Sequence, residues 1–176
     1  MLTYSLEFFF MKKCCRHLLF FLVLFPYGSY AQSAFDKMSN TKLEKILYRV
    51  SEQVDELPGS NDLPGRWKVI YMQRELFVIT DEPANRMRIM TPIIEEGNLD
   101  LADMKVLLEA NFDKALDAKY SLYQEFLWSS FTHPLQELTV EQLKDAMKQV
   151  ATLADRYGDT YSSTDLVFGA GKSADK

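Results

Sequence analysis

The chain has 176 residues, 47% of them hydrophobic, and a net charge of −5, which allows one domain with its own core. An acidic chain without a basic stripe is a poor nucleic-acid binder, because such binders need clustered Lys and Arg to displace counterions from phosphate. Two cysteines, Cys14 and Cys15, and two histidines, His17 and His133, leave little for thiol, imidazole or zinc chemistry.

A basic stretch, Met11 to His17, precedes an uninterrupted apolar run, Leu18 to Phe25. Pro26 and Gly28 break the helix, and Ser29-Tyr30-Ala31 puts small residues at the −3 and −1 positions, so residues 1–31 read as a cleaved secretory signal peptide. The run is shorter than the roughly 20 apolar residues a membrane span requires, and both cysteines precede it, which argues against lipidation. Residues 1–10 stand oddly in front of this pattern, and Met11 is the expected start. The competing reading joins both apolar stretches into one anchor, but Glu7 and the Lys12, Lys13, Arg16 and His17 cluster interrupt it. Cleavage leaves about 145 residues, cysteine-free and with net charge moved from −5 to −7 by loss of Lys12, Lys13, Arg16 and Glu7. With no Asn-x-Ser/Thr sequon, a periplasmic or secreted location is expected.

Residues 32–40 read as a loose leader. From Thr41, the apolar positions Leu43, Ile46, Leu47, Val50, Val54 and Leu57 recur at helical steps, and Thr41 with Glu44 fits a capping box. Pro58 to Asp62 ends this helix, and Pro64-Gly65 closes the loop. Three strands follow: Arg66 to Gln73, Leu76 to Thr80 and Arg86 to Ile93, the last two joined by the turn Asp81 to Asn85. Their short connections predict an antiparallel meander. The Arg74-Glu75 turn contains no Gly or Asn and cannot be typed from its residues.

Asp100 should cap a second helix whose apolar side is Leu101, Met104, Leu107, Leu108, Ala110 and Phe112, with Leu99 and Met104 placed as a hydrophobic staple. Lys119 to Tyr123 and Glu125 to His133 read as two further, strongly aromatic strands. Thr139, with Gln142 as box partner and Leu138 facing Leu143, should start a third helix that buries Leu143, Ala146, Met147, Val150, Leu153, Ala154 and Tyr157. Gly158 stops or loosens it, and residues 162–176 read as a disordered tail. The expected domain, residues 41–161, is α+β in the order α-β-β-β-α-β-β-α, with a five-stranded antiparallel or mixed sheet.

Catalytic equipment is thin. His133 lies before Pro134 at a strand end, where a structural or solvent-facing histidine is the simpler reading, since a base needs a positioned partner. Glu95, Glu96, Asp100 and Asp103 lack the alternating spacing of a calcium loop and read better as a solvated acidic loop and a helix cap. Gly169-Ala170-Gly171-Lys172-Ser173 is similar to the end of a phosphate-binding loop, but Leu166 stands where the first glycine belongs and no helix can follow. No catalytic residue, cofactor or metal is expected. The strands carry large apolar residues on both faces, which fits either helices on both sides or an apolar surface for dimerisation or a partner segment. On the second reading the protein-binding candidates are Trp67, Tyr71, Phe77, Phe126 and Trp128.

Three stretches carry a resemblance. Arg86-Met87-Arg88-Ile89-Met90-Thr91-Pro92-Ile93 is similar to a strand ending in a small residue and proline, and Leu107-Leu108-Glu109-Ala110-Asn111-Phe112 to an "LL-x-x-N-F" helix segment. Phe126-Leu127-Trp128 followed by Leu138-Thr139-x-x-Gln142-Leu143 is similar to a strand-to-last-helix junction. In this order, from Leu43 to Tyr161, they resemble the class I type III secretion chaperones (the Tir-chaperone type) and the YbjN-like proteins that share their fold. The resemblance implies a small α/β sandwich, a homodimer, an apolar surface that holds extended partner segments, and no catalytic residues. Those chaperones work in the cytoplasm, whereas this leader predicts export. The expectation is therefore an exported binding or chaperone-like protein with a peptide or protein partner. The alternatives are an envelope structural protein and an enzyme using carboxylates such as Glu95 or Asp103.

Overall fold

Helices in this chain start where a side chain can accept the N–H groups that the first turn leaves without partners. In the computed structural model, which describes residues 37–58 and 65–165, α1 (Asn40–Val50) is capped by Ser39, whose Oγ accepts from the Lys42 N–H at 3.3 Å. The cap is not the expected Thr41. For α2 (Leu101–Asp113) and α3 (Val140–Asp155) the caps are the ones expected. Asp100 accepts from Asp103 N–H at 2.9 Å, and Thr139 accepts from Gln142 N–H at 3.1 Å. Each N3 side chain returns a bond to its cap, closing a capping box. The predicted signal peptide, Gly59 to Pro64 and the Gly169 to Ser173 stretch lie outside the described residues.

The described residues form an α+β fold with three α-helices and a six-stranded antiparallel sheet. Its strands are β1 (Gln53–Glu56), β2 (Arg66–Tyr71), β3 (Arg74–Asp81), β4 (Arg86–Glu95), β5 (Lys119–Tyr123) and β6 (Phe126–His133), in the spatial order β1-β2-β3-β4-β6-β5. The sixth strand, β1, corrects the sequence reading. α1 stops at Val50, and Gln53 to Glu56 pair with Ile70 to Trp67. Val54 and Leu57 continue the helical spacing by coincidence, because two apolar residues cannot distinguish a helix tail from a short strand.

β4 also runs further than expected. It passes through Pro92 to Glu95, with a register shift between Pro92 and Ile94. Proline supplies no N–H, and the bulge is where a ladder tolerates that loss. The β2–β3 hairpin turns at Met72 and Gln73, with φ of 52° and 60°, and the β5–β6 hairpin at Gln124 and Glu125, with φ of 49° and 62°. Paired left-handed residues define the hairpin turn that matches strand twist, here without its usual Asn or Gly. That absence hid the first turn: Arg74 and Glu75, expected in it, open β3 instead.

One face of the sheet holds the core. Trp67 and Val69 of β2, Leu76 and Val78 of β3, Met87 and Ile89 of β4, and Leu127 and Phe131 of β6 are buried together with Leu43, Ile46 and Leu47 of α1 and the inner stripe of α3. α3 lies across β4 and β6 and reaches β2 and β3. Gly65 enters β2 against this layer with φ of +104°; a Cβ there would sit 1.9 Å from Thr80 Oγ1, so only glycine fits.

α2 departs from expectation. It touches the sheet at edge strand β5 and buries only Leu107 and Ala110. Leu101, Leu108 and Phe112, placed on its inner side by the sequence reading, are exposed, with Phe112 at 91%. The start of the expected loose tail is tied down as well. Ser162 and Ser163 are buried; Ser163 Oγ accepts from Leu116 N–H at 2.8 Å, and Ser162 Oγ donates to the Lys114 carbonyl at 3.2 Å. Small hydroxyl side chains can satisfy backbone groups locally, which composition alone reads as disorder.

Candidate functional site

Residues that face each other across a ladder point the same way, so the register defines the rows of the second sheet face. One row runs Lys68–Phe77–Met90–Ser130–Lys119 from β2 through β5. The next is Arg66–Ile79–Arg88–Thr132. On the other side of the first row stand Pro92, Trp128 and Ser121. Among the described residues, α1 and α3 both pack on the opposite face, and parts of these rows, Ile79, Arg88, Met90, Lys119 and Trp128, line a trough of about 980 Å³ together with Arg86, Asp81 and Asp117.

An aromatic cluster stands at its apolar end, where Trp128 lines the trough and Phe77 and Phe126 pack against it. The Phe77 and Trp128 rings are 6.3 Å apart at 66°, and Phe126 and Trp128 are 6.4 Å apart at 65°. Both are edge-to-face contacts, which aromatic quadrupoles favour. Trp128 is held further by its indole N–H, which donates to the Tyr123 carbonyl at 2.8 Å. Ile79 and Met90, half-buried, extend the apolar strip across β3 and β4.

The cations of this face are differently engaged. Lys68 Nζ lies 3.4 Å from Glu75 and 4.0 Å from Asp55. Lys119 Nζ caps the end of α2, donating to the Asn111 carbonyl at 2.7 Å, to Ala115 at 3.3 Å, and to Leu116. Among the described residues Arg88 donates only to Thr132 Oγ1, at 3.3 Å, and Arg86 to the Asn85 carbonyl at 3.0 Å. Among the described residues neither arginine has a carboxylate within ion-pair distance.

The five aromatic candidates therefore divide. Phe77, Phe126 and Trp128 meet on the open face. Trp67 is 3% exposed in the core, and Tyr71 is half-buried and packed against it. Alternation along β2 turns positions 67, 69 and 71 toward the helices, so Trp67 and Tyr71 belong to the helix-covered side. Burial, and secondarily Asp145, raises the Tyr71 phenol above its ordinary pKa. The Trp67 indole N–H is buried with no hydrogen-bond partner among the described residues. Ile79, Arg88, Met90 and Tyr123 were missed. Their alternation was readable, but it becomes a site only once the helices are known to share one side.

His133, Asp100 and Asp103 are engaged locally. The His133 ring stacks on Phe131 at 6.1 Å and 7°, with Nδ1 2.7 Å from the Pro134 carbonyl. Asp100 and Asp103 are engaged in the α2 capping box. Among the described residues, no group of three or more His, Cys, Asp or Glu is placed to hold a metal ion, and no helix is long and apolar enough to cross a membrane.

Asn111, in the Leu107–Phe112 stretch, has a defined task. Its side chain accepts from Tyr120 N–H at 2.7 Å and donates to the Tyr120 carbonyl at 3.0 Å. It thereby pairs with the outer edge of β5 as a neighbouring strand would, closing part of an edge that invites unwanted pairing. Beside it, Leu101, Leu108 and Phe112 fall on one stripe of α2, at spacings of whole turns, and face outward. Compared with known proteins, the chain matches no family model and no curated protein.

Proposed function

We propose that this chain is an exported, non-enzymatic binding or chaperone-like protein that holds an extended peptide or protein segment on the open face of its sheet. The Phe77–Trp128–Phe126 cluster carries this reading: three large aromatic side chains stand outside a core that the other face already completes. A solvated sheet face ordinarily alternates toward polar residues, and apolar surface retained there marks an interaction site. The helix and strand order, with β1 added, supports the type III secretion chaperone-like fold that the sequence resembles. The leader pattern supports export to the periplasm or beyond. The same resemblance supports a homodimer, for which the outer stripe of α2 offers Leu101, Leu108 and Phe112.

The test is recovery of a partner from periplasmic extract by the wild-type chain and by Trp128→Ala, with mass in solution measured for both. The expected result is a partner recovered by the wild type and lost by Trp128→Ala, with both proteins dimeric. A monomeric wild type that recovers no partner would contradict the reading. Export is checked separately by N-terminal sequencing, with Gln32 expected first.

A further inference from the structure

We infer that the segment this face accepts is acidic as well as apolar, with an apolar side chain followed two residues later by a carboxylate. The inference rests on the binding reading above and adds the chemistry of the partner. Along β4, Met90, Arg88 and Arg86 alternate on the open face, spaced about 6.8 Å apart by strand geometry. An extended ligand repeats its own side chains at the same interval. With one apolar residue over Phe77, Met90 and Trp128, its second neighbour on that side lies over the row Arg66–Ile79–Arg88–Thr132.

That row supplies positive charge beside apolar surface. Arg88 is anchored by a single bond to Thr132, and its other guanidinium donors have no protein acceptor among the described residues. A guanidinium in this setting favours a carboxylate, which it binds with paired, charge-assisted hydrogen bonds. The rest of the molecule makes the arrangement more telling. Among the described residues Arg86 and Arg88 make no ion pair, even though Asp81 stands across the ladder from Arg86 and Asp117 also lines the trough, while Lys68, in the neighbouring row, is matched to Glu75 and Asp55. An anionic membrane surface is the less favoured partner, because it presents no side chains at the strand interval that sets Met90 beside Arg88.

The test uses the purified full chain and a dye-labelled, capped peptide, Ser-Leu-Ser-Glu-Ser-Glu-Ser, with Gln and Lys counterparts at the two Glu positions. Fluorescence anisotropy should show the Glu peptide binding about tenfold tighter than the Gln peptide, and less so as salt rises. Arg88→Gln should remove the Glu-over-Gln preference while leaving the Gln peptide's affinity unchanged. Arg88→Glu should reverse the preference toward the Lys peptide. Equal affinity for the Glu and Gln peptides on the wild type would overturn the acidic partner and leave the binding reading standing. No binding of any peptide would remove both. Arg88-dependent flotation with phosphatidylglycerol vesicles, without peptide preference, would overturn the inference in favour of a lipid surface.

Discussion

The two faces of this sheet are written by the same strands, one residue out of phase, and they have different compositions. Toward α1 and α3, the positions Trp67, Val69, Leu76, Val78, Met87, Ile89, Leu127 and Phe131 are all apolar and almost fully enclosed. Toward the trough, Phe77, Ile79, Met90 and Trp128 are only half-buried and stand among Arg88, Ser130 and Thr132. The first composition is what a core requires. The second contributes less to folding than its aromatic content suggests, because each ring keeps part of its surface in water. The difference separates residues held for stability from residues available to a partner.

Substitutions on the two faces should break or sharpen that contrast. Leu76→Ala, in the enclosed layer, should lose about 2–5 kcal/mol of unfolding free energy in urea titration. Phe77→Ala, the next residue on the same strand, should lose clearly less despite removing a larger side chain. Equal losses would mean that the open face is packed as a core. Asn111→Ala removes the group that pairs with the β5 edge, and it should cost about 1–3 kcal/mol by leaving the Tyr120 backbone without its partners. Gln73→Gly should stabilise the chain by about 1 kcal/mol, since glycine accepts φ of 60° without the clash that a Cβ makes. Phe112→Glu, on the exposed α2 stripe, should change stability by less than about 0.5 kcal/mol. If that stripe is a dimer surface, the same variant should run as a monomer in size-exclusion chromatography with light scattering.

Much of this fold was legible because its signals are local. Asp100 with Asp103 and Thr139 with Gln142 announce helix starts through side chains close to the backbone they satisfy. The α3 stripe and the meander from Arg66 to Ile93 were equally readable from period and connection length. β1 was not, because Val54 and Leu57 fit two periods and only pairing with β2 decides between them. The outward turn of Leu101, Leu108 and Phe112 was also hidden: an apolar helix side predicts burial, and its exposure depends on where α2 meets the edge of the sheet.

The site was half legible for the same reason. Aromatic residues on the strands marked Phe77, Phe126 and Trp128, which lie on the open face, together with Trp67 and Tyr71, which lie on the helix-covered one. Phase along β2 was visible, but which phase faced helices was a property of the tertiary arrangement. Arg88 gave no signal as a lone strand arginine. It gains meaning from standing one row from Met90, with no carboxylate within ion-pair distance among the described residues.

The central claim is that Trp128 serves a partner more than it serves the fold, and a paired measurement on Trp128→Ala tests it directly. Affinity for the Ser-Leu-Ser-Glu-Ser-Glu-Ser peptide should fall at least about tenfold, while unfolding free energy should fall by no more than about 2 kcal/mol. An unchanged affinity, or a loss of stability on the core scale of about 3–5 kcal/mol, would contradict the account.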